Sequence, residues 1–186
     1  MVLFIAKNGE YESDRMIKLC FIKYLRLLKT TNIENGSFQK AVIFEKNIDF
    51  DEYYLLENLR INRTAKPYLE LNGKRLNVHF SLSHSNEIII AGFSDCEIGV
   101  DVEYHKPRAY EKIAEREFSY DEKPSSLEEF YDTWTRKEAI IKCRGLTFGA
   151  AAKTYGRELG VKNLNLFENY SVAVYPSDNL VISLLT

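Results

Sequence analysis

Cysteine is sparse in this chain: Cys20, Cys96 and Cys143 are the only three in 186 residues. No two stand at the Cys-x-x-Cys spacing of a zinc or dithiol site. An odd, scattered set fits a reducing compartment rather than a disulfide framework, and all three are expected as buried thiols. Histidine also numbers three, and none lies at ligand spacing from a cysteine, so zinc is a poor fit. Long apolar runs are missing. Nothing approaches the ~20 residues of a membrane span, and the apolar start Met1-Val-Leu-Phe-Ile-Ala6 is too short for a signal peptide and has no basic segment before it. An excess of one charge is missing too. The 25 Lys and Arg are interspersed with 27 Asp and Glu, for a net charge of −2, which argues against a general nucleic-acid surface. There is no glycine-rich phosphate loop, no Ser-His-Asp arrangement, no nucleophilic cysteine motif and no low-complexity linker. The expectation is a cytoplasmic protein with neither a membrane nor a nucleic-acid partner.

Hydrophobic residues make up 45 % and charged residues 28 % of the chain, ordinary proportions for a folded protein. The length suits one large domain or two small halves with cores of their own. Val2 to Ala6 reads as a strand. Asp14 to Leu28 reads as an amphipathic helix, with Met16, Leu19, Ile22, Leu25 and Leu28 near helical spacing and Ser13 or Asp14 as its cap. Thr30 to Gly36 reads as loop, Lys40 to Glu45 as a short strand, and Tyr53 to Ile61 as helix. Pro67 forces a loop at Thr64 to Pro67. The middle of the chain is β: Val78, Phe80 and Leu82 alternate with polar residues, a turn follows at His84 to Glu87, and Ile88 to Phe93 and Ile98 to Tyr104 follow in turn. A helical region after Pro107 precedes a long helix that starts at Ser125 or Ser126 and stops at Gly145. Ser171 to Tyr175 and Leu180 to Leu184 read as strands joined by a Pro-Ser-Asp-Asn turn. A helix followed by antiparallel strands thus occurs once in residues 1–97 and once in residues 98–186. The expected fold is α+β in two such halves.

Chemistry concentrates in two places. In Phe130-Tyr-Asp-Thr-Trp-Thr-Arg-Lys-Glu-Ala-Ile-Ile-Lys142, Leu127, Phe130, Trp134 and Ile141 form an apolar helical stripe. Glu138 lies roughly 50° and Lys142 roughly 90° from its centre. Alone, Glu138 and Lys142 are an ordinary i,i+4 ion pair in the favourable order. In Ile98-Gly-Val-Asp-Val-Glu103, Asp101 and Glu103 share one face of a strand. A solvent-facing edge is the plain reading of that pair, although acids generally avoid strands. Three carboxylates on two rigid elements beside a lysine also suit a hard divalent ion and a phosphate, since Mg²⁺ takes one or two carboxylates plus phosphate and water oxygens. His84, in Phe80-Ser-Leu-Ser-His-Ser85, reads either as a turn-bonding histidine or as a phosphate contact at a strand end. His79 reads as structural, His105 as a bystander, Trp134 as packing, and Lys137, Arg15 and Lys18 as surface charges.

Taken in order, Ala65-Lys-Pro-Tyr, Phe80-Ser-Leu-Ser-His-Ser, Ile98-Gly-Val-Asp-Val-Glu and Trp134-Thr-Arg-Lys-Glu-Ala-Ile-Ile-Lys resemble the motifs of the 4′-phosphopantetheinyl transferases. The likeness is to the larger, pseudo-dimeric branch called the Sfp type. It covers Lys66 to Gly145. Ala65 stands where the family carries glycine, and the N-terminal half is short for this branch. The resemblance implies two similar α+β halves, each a helix on a small antiparallel sheet, with the site in the cleft between them. It implies Asp101, Glu103 and Glu138 as Mg²⁺ ligands, and Lys142 as a phosphate contact that stabilises the departing nucleotide. Ser83 and His84 would meet coenzyme A phosphates, and Lys66 and Pro67 would line the nucleotide site. Glu138, directly or through a water, would be the base, with Lys7, Arg15 and Lys18 as candidates for the 3′-phosphate. The implied reaction moves the phosphopantetheine arm of coenzyme A to a serine of an acyl or peptidyl carrier protein. The implied enzyme is a monomer, with Lys112, Arg116 and Lys123 as candidate docking residues. A Mg²⁺-dependent nuclease or phosphodiesterase, and a non-catalytic coenzyme A-binding module of the same fold, are the competing readings.

Overall fold

In a computed structural model, residues 1–9, 12–30, 51–64, 66–147 and 156–184 are described. The expected strand at Lys40 to Glu45, most of the loop before it, and Ala65 lie outside them. The chain is α+β. The strand β1 (Val2–Lys7) and helix α1 (Ser13–Thr30) come first. Helix α2 (Glu52–Asn58) and three short strands follow, β2 (Leu59–Asn62), β3 (Tyr68–Leu71) and β4 (Lys74–Arg75). Then come β5 (His79–Ser85), β6 (Ile88–Ser94) and β7 (Gly99–Tyr104). Helix α3 (Tyr110–Glu117), a 3₁₀ turn (Tyr120–Glu122) and helix α4 (Leu127–Arg144) lead to β8 (Lys162–Asn163), β9 (Tyr170–Tyr175) and β10 (Val181–Leu184).

Among the described residues the strands form three sheets, ordered β10-β1-β6-β5, β2-β3-β4 and β7-β9-β8. Parity along β1 and β6 shows how they stack. Val2, Phe4 and Ala6, with Ile89, Ala91 and Phe93, enter a core shared with Met16, Ile17, Phe21 and Leu25 of α1. Leu3, Ile5 and Ile90 point the other way, into a second core with Val100, Val102, Val172 and Val174. The first sheet is therefore sandwiched between α1 and the β7-β9-β8 sheet. Side chains alternate along a strand, so the β7 residues between these valines, Gly99, Asp101 and Glu103, face the opposite way, toward α4.

Three expectations about the elements need correction. The helix at Tyr53 to Ile61 ends at Asn58, because Leu59 to Asn62 pair with β3. The last two strands are not a hairpin: β9 pairs antiparallel with β7, whereas β10 runs parallel to β1 at the edge of the first sheet. Helix α4 carries no single apolar stripe; it is buried on most of its circumference, Thr133, Thr135, Lys137, Ala139 and Cys143 included. Its ends match the sequence reading. Ser126 accepts from the Glu129 N–H at the N-terminus, and Gly145 adopts the left-handed conformation (φ 64°) at the C-terminus, where glycine pays no Cβ penalty.

Lys137 is not a surface charge. It is wholly buried, 2.9 Å from a wholly buried Glu122 and over the Phe118 ring. Glu122 also accepts from the Gly156 N–H at 2.6 Å and the Ser119 N–H at 3.2 Å. Burial pushes Glu122 up, but Lys137 and these N–H groups outweigh it and hold the acid below the usual carboxylate value. A buried ion pair satisfied in this way ties the 3₁₀ turn, α4 and the chain at Gly156 together. Cys20 and Cys143 are buried as expected, with Cys20 pushed up to about 12 by burial; Cys96 is exposed.

Candidate active site

Gly99 sets the distance between β7 and α4. A Cβ there would overlap the Ala139 carbonyl oxygen and come within 2.6 Å of the Cys143 nitrogen, both helix backbone. Only glycine permits that approach, and Ala139 keeps the facing helix surface small. The close contact brings the acids of β7 to the acid and lysine of α4. Lys142 Nζ stands 2.6 Å from Asp101 Oδ1 and 3.0 Å from Ser83 Oγ. Asp101 is buried and Lys142 half-buried.

The second Asp101 oxygen, Oδ2, is buried without a hydrogen-bond partner. Glu138 is pushed up to about 7, by burial first and then by Asp101 and Glu103, with Lys142 pulling the other way. Burial and Asp101 also raise Glu103, against the Ser85 hydroxyl, Lys142 and Arg108. All four expected residues thus share one locus. One lysine does not balance three carboxylates there, and the excess charge adds to burial in raising the proton affinity of Glu138 and Glu103.

The acids are not assembled as a ligand cage. Among the described residues, no three His, Cys, Asp or Glu side chains form a group that could hold a metal ion as they stand. The physical reason is at hand: Lys142 sits on Asp101, Ser85 Oγ bonds Glu103 Oε2 at 3.0 Å, and like charges keep apart.

Residues from the other motifs reach the locus unevenly. Ser83 is buried, and its hydroxyl donates to Asp101 Oδ1 at 2.8 Å while accepting from Lys142 and from the Val102 N–H. One donor and two acceptor positions are all a serine has, so its valence is filled inside the protein. His84, next along β5, is exposed. Lys66 is tied down: its Nζ reaches Glu97, the Cys143 carbonyl and, at 3.2 Å, the Ile98 carbonyl. It thereby caps the last turn of α4, where a cation is favoured. Burial pushes Glu97 up, but Lys66 and His79 outweigh it and lower that acid. Pro67, half-buried, follows it. Lys18 donates to the Leu56 carbonyl at 2.7 Å, and Arg15 is exposed on α1.

Sequence reasoning missed two groups. Ser81 and Ser85, at period two with Ser83, take part in the contact between β5 and β7; the repeat Ser-x-Ser-x-Ser was the available signal. His105 is held in a network of its own. Its Nε2 lies 2.9 Å from Ser171 Oγ, which donates to Asp132 Oδ1 at 2.6 Å, and its ring stacks on Tyr131.

Residues 97–172 match the model of the 4′-phosphopantetheinyl transferase superfamily, a stretch that contains Asp101, Glu103, Glu138 and Lys142. The chain is 32 % identical over 156 residues to the 4′-phosphopantetheinyl transferase gsp of Aneurinibacillus migulanus, covering 76 % of this chain and 58 % of that protein. It is 40 % identical over 107 residues to the 4′-phosphopantetheinyl transferase ffp of Bacillus subtilis, covering 50 % and 46 %. It is 38 % identical over 108 residues to the 4′-phosphopantetheinyl transferase AcpT of Escherichia coli K12, covering 51 % and 55 %. The chain spans about half the length of these curated relatives.

Proposed function

We propose that this chain, whose residues 97–172 match the 4′-phosphopantetheinyl transferase superfamily, transfers the phosphopantetheine arm of coenzyme A to a serine of an acyl or peptidyl carrier protein and releases adenosine 3′,5′-bisphosphate. The observation that carries this reading is the meeting of three acids and one lysine where β7 faces α4. The residues fit a hard divalent cation. Asp101 has a buried oxygen without a partner, Glu138 is raised to about 7 by burial first and then by its acidic neighbours, and every candidate donor is a carboxylate oxygen, the set suited to Mg²⁺. Asp101, Glu103 and Glu138 would hold it. When bound, Mg²⁺ would neutralise pyrophosphate oxygens and polarise the phosphorus under attack.

The chain's own groups supply the rest. Lys142, with its side chain 30 % exposed, is open to a phosphate oxygen and stabilises charge on the departing nucleotide. Glu138 is the base; a carboxylate that also holds a cation is a weakened base, which keeps a route through a water open. It takes the proton of the carrier serine directly or through a water. The serine oxygen then bonds to the β-phosphorus, the bond from that phosphorus to the bridging oxygen breaks, and the electron pair leaves with the bisphosphate. His84, exposed at the position after Ser83 in β5, would contact a phosphate. Lys66 and Pro67 shape the nucleotide side, and Ser83 acts there through Lys142. In this reading residues 1–97 and 98–186 are the two halves of a cytoplasmic monomer, with the carrier docking across their cleft.

Intact-mass spectrometry of an apo carrier protein incubated with this chain, coenzyme A and Mg²⁺ tests the proposal. The carrier should gain the mass of one phosphopantetheine arm, and the gain should vanish with EDTA or with Glu138→Ala. No gain across several carriers, with coenzyme A still bound, would replace the transferase by a binding module.

A further inference from the structure

The seam between β5 and β7 is made by side chains. These two strands are neighbours in space, yet no backbone ladder joins them: β5 pairs with β6 and β7 with β9. Three serine hydroxyls on one face of β5 take the place of the ladder. Ser81 Oγ accepts from the Val100 N–H at 3.0 Å, Ser83 Oγ from the Val102 N–H at 3.3 Å, and Ser85 Oγ from the Tyr104 N–H at 3.0 Å. The three bonds advance two residues at a time on both strands, so the hydroxyls set the register of the strand that carries the acids.

Two of the three hydroxyls do more. Each has one proton to give. Ser83 gives its proton to Asp101 and Ser85 gives its proton to Glu103 Oε2. Ser81 stands too early in the strand to meet an acid. Its partner across the seam is the backbone of Val100.

We propose that Ser85 is a positioning residue for Glu103. Its hydroxyl fixes the strand through Tyr104 N–H and, with the same oxygen, holds one carboxylate oxygen of Glu103, leaving the other free for a cation. The inference rests on the divalent-cation reading of the site. Hydrogen-bond partners of this kind orient ligating carboxylates, and their loss typically costs 10–100-fold in metal affinity. Ser81 is the internal control, because it makes the same bond to the strand backbone without touching an acid.

The test is Mn²⁺ binding, followed by the electron paramagnetic resonance signal of the free ion, with no substrate present. Ser85→Ala should weaken Mn²⁺ binding by roughly tenfold, Ser85→Thr should restore it to within about twofold, and Ser81→Ala should leave it at the parent value. Should Ser85→Ala not fold, Ser85→Thr against Ser85→Val asks the same question, since the two side chains share a shape and differ by a hydroxyl. Parent-like binding by Ser85→Ala or Ser85→Val would overturn the positioning role and leave the cation reading intact. Equal weakening by Ser81→Ala would overturn it as well, by showing a general loosening of the seam. A parent protein that binds no Mn²⁺ would overturn the cation reading and this inference with it.

Discussion

At the scale of single residues, Glu138 is the group whose state reports on the site. Its carboxyl has an ordinary value of 4.5 and is pushed up to about 7 in the folded chain, chiefly by burial. Between those values the folded state holds a proton that the unfolded state has released. The raised affinity therefore contributes stability that is present at pH 4.5 and lost as pH rises through 7. In EDTA, Glu138→Gln should lose less stability than the parent between pH 5 and pH 8, by a few degrees in the thermal midpoint. Glu103, raised as well, leaves a residual slope of the same sign. His105, lowered by burial, contributes a slope of the opposite sign that is common to both proteins. Thermal melts of the pair at the two pH values check this, and identical slopes would show that Glu138 is not the strained acid.

At the scale of elements, Gly99 links the packing of a strand on a helix to the chemistry. Gly99→Ala places a methyl group against the α4 backbone at Ala139 and Cys143, which neither element can yield without sliding apart. The expected cost is upwards of about 3 kcal/mol, the high end for overpacking. Any folded fraction should have Asp101 drawn away from Lys142. Urea unfolding measures the first effect and Mn²⁺ affinity the second; a variant with parent stability would disprove the close contact.

The same elements show what could be read in advance. The start and stop of α4 were legible because Ser126 and Gly145 act within one turn. Asp101 and Glu103 were legible as a pair because alternation along a strand is local. Partners were harder. Leu59 to Ile61 looked helical because only their pairing with β3 overrides the pattern. Lys137 looked solvated because its partner, Glu122, lies in a separate element. The partners of the β5 serines were hidden because they belong to a strand with which β5 shares no ladder. In each case the missing information was a contact distant in sequence.

At the scale of the whole molecule, the two-part reading meets a shared sheet. β1 sends Val2, Phe4 and Ala6 to the core under α1, and Leu3 and Ile5 to the core under β7 and β9. β10, close to the end of the chain, pairs with β1 from its beginning. Neither core can lose its share of β1 without opening the other, so unfolding should be one cooperative event. The single tryptophan makes this measurable. Trp134 packs with Phe118 and Phe130 on the α4 side, far along the chain from α1, while far-UV circular dichroism weights every helix. Urea midpoints from Trp134 fluorescence and from circular dichroism should coincide. A fluorescence midpoint well below the other would mean that the α4 side opens alone. The acids of β7 would then separate from Lys142 in a partly folded state, and the shared sheet would not couple the two cores.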